Sequence, residues 1–205
     1  MPPYILAFMG SPRLGGNTDL LLSSVLDAAS HYGARVEKIP LVKRNISPCL
    51  ECGACDQTGQ CPLQDDMVEL YPALERADIL ILASPIFFYN ITAFTQALIE
   101  RAQALWVRKY VLKKPPSVSK KRFGIFLSLG ATKGAKLFEG AVRIVRYFFD
   151  AVDVSYQGGL FFRGIEKKGD ILKHPEALLQ AQALGNSLAQ GLPPALWPLC
   201  REKTP

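Results

Sequence analysis

The stretch Tyr4-Ile5-Leu6-Ala7-Phe8-Met9-Gly10-Ser11-Pro12-Arg13-Leu14-Gly15-Gly16-Asn17-Thr18 changes character twice. Tyr4–Met9 is an apolar run of strand length. From Gly10 the chain turns to glycine, proline and small polar residues. Beyond Thr18, Leu21, Val25, Ala28 and Tyr32 recur at helical spacing, and Gly33 follows as a stop signal. Strand, short glycine-rich loop and helix make the first half of a βα unit.

The same alternation continues along the chain. Arg35–Leu41, Ile79–Ala83, Phe123–Leu129 and Val154–Phe162 read as four further strands. Ile79–Ala83 is apolar on both faces, which suits the centre of a sheet covered on both sides. Helical patterns run near Asp65–Arg76, Thr92–Leu112, Ala135–Phe149 and Pro175–Gln190, and Pro115-Pro116 ends the long third one. The sequence therefore predicts an α/β fold, a doubly wound five-stranded parallel sheet of order 2-1-3-4-5, with a cysteine loop inserted after the second strand. One domain covers residues 1–191, with the cysteine loop at 47–64. A proline-rich tail, 192–205, carries Trp197 and Cys200 and is expected to be irregular.

A loop leaving a strand and entering a helix gathers unpaired backbone N–H groups and the positive end of the helix dipole. Here Ser11, Asn17 and Thr18 add hydroxyl and amide donors, Gly16 permits close approach, and Arg13 offers a charge. A nucleoside-triphosphate loop needs a Lys after its last glycine, where Asn17 and Thr18 stand instead. The dinucleotide pattern G-x-G-x-x-G is also missing, since Gly10 is followed by Ser11-Pro12. What remains suits one terminal phosphate, as in FMN; the alternative is an ordinary glycine-rich turn capped by Asn17 or Thr18. The run Gly-Ser-Pro-Arg-x-x-Gly-Asn-Thr closely resembles the phosphate loop of the NADPH-dependent FMN reductase and iron–sulfur flavoprotein families, with one extra glycine, Gly15. That resemblance implies a flavodoxin-like fold with Ser11, Arg13, Asn17 and Thr18 holding the FMN phosphate.

Ser84-Pro85-Ile86-Phe87-Phe88-Tyr89-Asn90-Ile91-Thr92 follows the central strand, at the topological switch point where open α/β sheets bind ligands. Its three consecutive aromatics suit either core or dimer packing, or a planar isoalloxazine. Ser-Pro-Ile-Phe-Phe, with a helix ending Ile99-Glu100-Arg101, is similar to the family's isoalloxazine loop. The resemblance implies flavin contacts at Pro85, Ile86, Phe87, Phe88 and Asn90; Gln96 and Glu100 depart from the family's usual Lys and Asp. A third loop, Gly130-Ala131-Thr132-Lys133-Gly134, lies on the same sheet edge, and Gly130, Ala131 and Thr132 are candidates for a wall of the site.

Four of the five cysteines crowd into Cys49-x2-Cys52-x2-Cys55-x5-Cys61. A disulfide framework spreads its cysteines, so crowding points to a metal or cluster in a reducing compartment. Zinc modules bring two separated knuckles to one ion, whereas three close spacings and a nearby fourth Cys let one loop wrap a [4Fe–4S] cluster. Zinc and free or oxidised thiols remain the alternatives. Iron–sulfur flavoproteins place a similar motif at this point of the fold, followed as here by Asp65-Asp66-Met67. Cys200 stands alone and is not read as a ligand.

The chain carries 24 basic and 18 acidic residues. Arg108, Lys109, Lys113, Lys114, Lys120, Lys121 and Arg122 form a stretch without an acid, read as a solvated helix end and loop; the sharper alternative is docking of an acidic redox partner or an NADPH phosphate. No nucleic-acid-binding module accompanies the charge, and no apolar run approaches a membrane span or a signal peptide. A cytoplasmic location is expected. No catalytic triad is visible, His31 and His174 falling in a helix end and a loop, so the flavin itself is the reactive group. Three readings compete: an iron–sulfur flavoprotein exchanging electrons with a ferredoxin-like or other redox partner, an NAD(P)H-dependent FMN or quinone reductase with structural or zinc-bound cysteines, and a flavodoxin-like carrier without turnover. The resemblance implies a homodimer or homotetramer paired around the FMN.

Overall fold

The computed structural model describes residues 2–114 and 121–192. In chain order its elements are β1 (Tyr4–Met9), α1 (Asn17–His31), β2 (Arg35–Pro40), α2 (Cys55–Thr58), α3 (Met67–Arg76), β3 (Ile79–Pro85), α4 (Ala93–Arg101), α5 (Gln103–Trp106), β4 (Phe123–Gly130), α6 (Glu139–Ala151), β5 (Ser155–Arg163) and α7 (Pro175–Ala189). The five strands are parallel in the order β2-β1-β3-β4-β5, as expected.

Two-residue alternation divides each central strand between two cores. Leu6 and Phe8 of β1 join Leu80 and Leu82 of β3 beneath α3, α4, α5 and α6. Ile5, Ala7 and Met9 join Ile79, Ile81 and Ala83 beneath α1 and α7. Gly185 lets α7 lie close on α1, because a Cβ there would sit 2.2 Å from the Val25 carbonyl oxygen. The apolar central strands thus pay for burial on both faces, and their carboxyl ends converge on one edge.

Several element boundaries differ from the expectation. β2 stops at Pro40 because Leu41–Lys43 forms a 3₁₀ turn. The Thr92–Leu112 helix is broken. The Ala102 N–H bonds back to Ile99, α5 follows, and a π turn over Val107–Val111 ends with Leu112 N–H on the Val107 carbonyl at 2.9 Å. Side-chain periodicity places Leu98, Ala102 and Leu105 inward but is blind to such changes of hydrogen-bond register. α6 starts at Glu139 rather than Ala135, since Arg163 takes the Gly134 and Ala135 carbonyls into a turn. Pro115-Pro116, Lys120, and the tail from Pro193 with Trp197 and Cys200 lie outside the described residues.

The basic stretch is partly spent inside the protein. Arg108 pairs with Glu75, and Lys109 with Asp150 and Asp153. Arg122 is buried and donates to the carbonyls of Leu74, Ala77 and Val152, a cation placed at the C-terminal ends of α3 and α6. No described helix is long and apolar enough to cross a membrane.

Candidate functional site

The first candidate site forms where β1, β3, β4 and β5 end. Gly10 continues β1 by donating to the Ala83 carbonyl at 2.7 Å, Ile86 bonds Leu129 at 2.9 Å, and Ile165 bonds Gly130 at 3.2 Å. Buried hydroxyls stitch these ends together. Thr92 Oγ1 donates to the Gly10 carbonyl at 2.6 Å, Ser84 Oγ accepts from Thr92 N–H at 3.1 Å, and Ser128 Oγ donates to the Ser84 carbonyl at 2.7 Å. Gly10 is required at this junction: a Cβ would stand 1.9 Å from Thr95 Oγ1.

These loop ends enclose a cleft of about 150 Å³ lined by Ser11, Arg13, Asn17, Thr18, Pro85, Ile86, Phe87, Gly130 and Ala131 from the expected set. α1 opens onto it with Gly16 as N-cap and no side-chain cap, which leaves its first N–H groups for a ligand. The Ser11 hydroxyl accepts from Arg13 N–H at 3.1 Å. A helix N-terminus, hydroxyls and a guanidinium on one cleft form a donor set that fits a terminal phosphate.

Asn17 is placed differently from the expectation. Its side-chain amide donates to the Lys167 carbonyl at 2.8 Å and accepts from Ile171 N–H at 3.3 Å. It therefore pins a fourth loop, the one after β5, against the phosphate loop. Ile165, Glu166 and Lys168 of that loop line the cleft, and the Lys168 ammonium lies over Gly15. Sequence reasoning missed these residues. Their one available signal was position, since every parallel strand end on this edge contributes a loop.

The aromatic loop is a tight two-residue turn. Phe87 N–H bonds the Asn90 carbonyl at 2.8 Å and Asn90 N–H bonds the Phe87 carbonyl at 2.9 Å, with Phe88 (φ 50°) and Tyr89 (φ 61°) both left-handed. Phe87 and Tyr89 are about half exposed and Phe88 fully so. Pro85, Ile86 and Phe87 face the cleft, whereas Phe88 and Asn90 sit beyond its lining, as do Gly16 and Thr132. The Asn90 side-chain oxygen is taken by Ile91 N–H at 2.7 Å.

The second candidate site lies at the far end of α4. Cys49, Cys52, Cys55 and Cys61 are free thiols lining one pocket of about 700 Å³, together with Glu100 and Arg101. Burial, the Asp56 carboxylate and the neighbouring Cys49 and Cys61 push the Cys55 thiol up. Among the described residues, no three His, Cys, Asp or Glu side chains stand close enough to hold one metal ion. Four thiols lining one pocket are a soft donor set of the kind that holds an iron–sulfur cluster or zinc. α4 joins the two sites. Thr92, its N-cap, holds the end of β1, Glu100 in its last turn accepts from Cys49 N–H at 3.4 Å, and the nine-residue helix spans about 13 Å.

The family profile described as NADPH-dependent FMN reductase matches residues 3–158, ending before the fourth loop and α7. An iron-sulfur flavoprotein of Methanocaldococcus jannaschii is 36% identical over 101 residues, 49% of this chain and 52% of that protein. This chain thus spans about half the length of that relative. A second iron-sulfur flavoprotein of the same organism is 30% identical over 156 residues, 76% of this chain and 75% of that protein. An NAD(P)H:quinone oxidoreductase from Methanothermobacter marburgensis superposes with a TM-score of 0.68 over 92% of this chain and 100% of that one, at 16% identity, a likeness of fold. The chain belongs to the NADPH-dependent FMN reductase family, and iron-sulfur flavoproteins stand among its relatives.

Proposed function

We propose that the protein is an FMN-dependent oxidoreductase of the iron–sulfur flavoprotein type, passing electrons between a two-electron partner, FMN and a [4Fe–4S] cluster. The observation that carries this reading is the pairing of the two sites by α4: an uncapped, phosphate-fitting start of α1 at the switch point, tied to the N-cap of α4, and a four-thiol pocket at the far end of α4. In this reading Ser11, Thr18 and Arg13 hold the phosphate, with the N–H groups that open α1. Asn17 keeps the fourth loop in place, and Pro85, Ile86, Phe87, Gly130 and Ala131 border the ring. Cys49, Cys52, Cys55 and Cys61 hold the cluster. When bound, FMN supplies uptake of an electron pair, as hydride from NAD(P)H, and release of single electrons, which a thiolate-held cluster carries. The protein's own part is to fix the two groups and to shield the end of the sheet with buried hydroxyls. No side-chain acid or base is assigned.

A competing reading, an FMN or quinone reductase with zinc-bound cysteines, draws on the family profile. The spacing of the cysteines, three close together and a fourth nearby in one loop, supports the cluster over a single zinc ion. The exposed Phe87-Phe88-Tyr89 turn supports a homodimer or homotetramer in which a second copy covers the cleft mouth, in a cytoplasmic setting that keeps the thiols reduced. A ferredoxin-like partner is the one-electron acceptor in this reading.

Anaerobic mixing of the purified, flavin-loaded chain with NADH or NADPH tests it. Bleaching of the oxidised-flavin bands by either nucleotide, followed by reoxidation with a one-electron acceptor, is expected. A chain that retains no FMN, or whose FMN neither nucleotide reduces, contradicts the reading.

A further inference from the structure

Arg101 closes α4 with its side chain wholly buried. One terminal nitrogen donates to the Ser47 carbonyl at 3.0 Å and pairs with Asp65, and the other reaches the Leu63 carbonyl at 3.4 Å. Tyr71 of α3 donates to the Arg101 carbonyl at 2.9 Å. Ser47 precedes Cys49 and Leu63 follows Cys61, so one guanidinium grips both ends of the loop that carries the four cysteines.

The remaining nitrogen stands apart. Arg101 Nε–H is buried and has no hydrogen-bond partner among the described residues, while the residue lines the cysteine pocket. An unpaired buried N–H is costly, and a native fold keeps one where a bound group satisfies it. The sulfurs of a thiolate-held cluster are acceptors of this kind, and hydrogen bonds and charge near them set the cluster's reduction potential.

We infer that Arg101 is a positioning residue with two roles: its terminal nitrogens brace the cysteine loop, and its Nε–H is held ready for a sulfur of the cluster. The second role rests on the cluster reading of the proposed function; the bracing role does not. Asp65 pairs with the guanidinium and offsets its charge, and Glu51, Asp56 and Glu100 are the other charged groups lining the pocket. Removing the guanidinium therefore lowers the cluster potential, and removing the Asp65 charge raises it.

The test uses the full chain, reconstituted anaerobically with iron and sulfide, as wild type, Arg101→Lys, Arg101→Gln and Asp65→Asn. Redox titration of the cluster is expected to give lower potentials in both Arg101 variants, the smaller drop in Arg101→Lys, and a higher potential in Asp65→Asn. FMN affinity should stay within about twofold in all. Opposite shifts from two halves of one ion pair do not arise from a loosened loop. An unchanged potential in Arg101→Gln at full iron content, or shifts of the same sign in Arg101→Gln and Asp65→Asn, overturns the hydrogen-bond role. In the metal-free chain, alkylation of Cys49 and Cys61 should be several-fold faster in Arg101→Gln and in Arg101→Lys than in wild type; equal rates overturn the bracing role. A wild-type chain that takes up no iron removes the cluster reading and the Nε–H role with it, while the alkylation result still decides the brace.

Discussion

Asn17 and Thr18 are adjacent and both buried, and only the Asn17 side chain is bonded to the loop after β5 among the described residues. Both were legible in the sequence as polar residues at a helix start, and nothing in their types told which would face a ligand. The difference comes from the loop after β5, which is about 150 residues distant and takes both ends of the Asn17 amide. Asn17→Ala breaks both bonds and leaves buried groups unpaired, so a loss of about 1–3 kcal/mol is expected in urea unfolding of the FMN-free chain. Thr18→Val keeps shape and removes one hydroxyl of the cleft lining that faces the phosphate in the proposed reading. It should leave unfolding nearly unchanged, weaken FMN about tenfold, and leave riboflavin, which has no phosphate, unaffected in a fluorescence titration. Equal weakening of both flavins would place Thr18 away from the phosphate. The same distance in sequence hid Lys168, an ordinary surface lysine until the fold lays it over Gly15.

Among the elements, strands were read to within two residues, the central β1, β3 and β4 because burial on both faces sets their apolar runs. The β3–α4 turn and the break at Ala102 were not, since both depend on backbone geometry that side-chain type does not announce. Phe88 and Tyr89 occupy left-handed backbone that favours glycine, and Phe88 makes no burying contact to compensate. Phe88→Gly relieves that backbone but removes the ring that a second copy covers in the proposed oligomer, so it should shift the chain toward monomer in sedimentation at fixed concentration. An unchanged oligomer would show that Phe88 lies outside the contact. The Asp65–Arg101 pair gives the cysteine loop an acid limit. Burial raises the Asp65 carboxyl, but hydrogen bonds from Arg101 and from the Ser47 and Met67 N–H groups outweigh it and hold the carboxyl below its ordinary value. A depressed folded pKa stabilises above the unfolded value of about 3.9, and the gain is lost as pH falls through the folded value. Denaturant midpoints measured from neutral pH downward should drop more steeply below about pH 4 in wild type than in Asp65→Asn. Parallel curves would contradict the pair's contribution.

For the whole molecule, the order of the sheet decides where chemistry can occur, and that order followed from the alternation of strands and helices alone. The two sites were also visible as motifs: a glycine-rich turn and four closely spaced cysteines. Their relation was not, because α4 spans from one to the other only once the sheet is assembled. Cofactor identity belongs to this scale as well, since the proposed function needs both groups in one protein for electrons to pass between a pair and single steps. The most direct measurement is iron and acid-labile sulfide per FMN in the chain purified without oxygen. About four iron and four sulfide for each FMN are predicted. FMN with no iron, or with one zinc, would contradict the account.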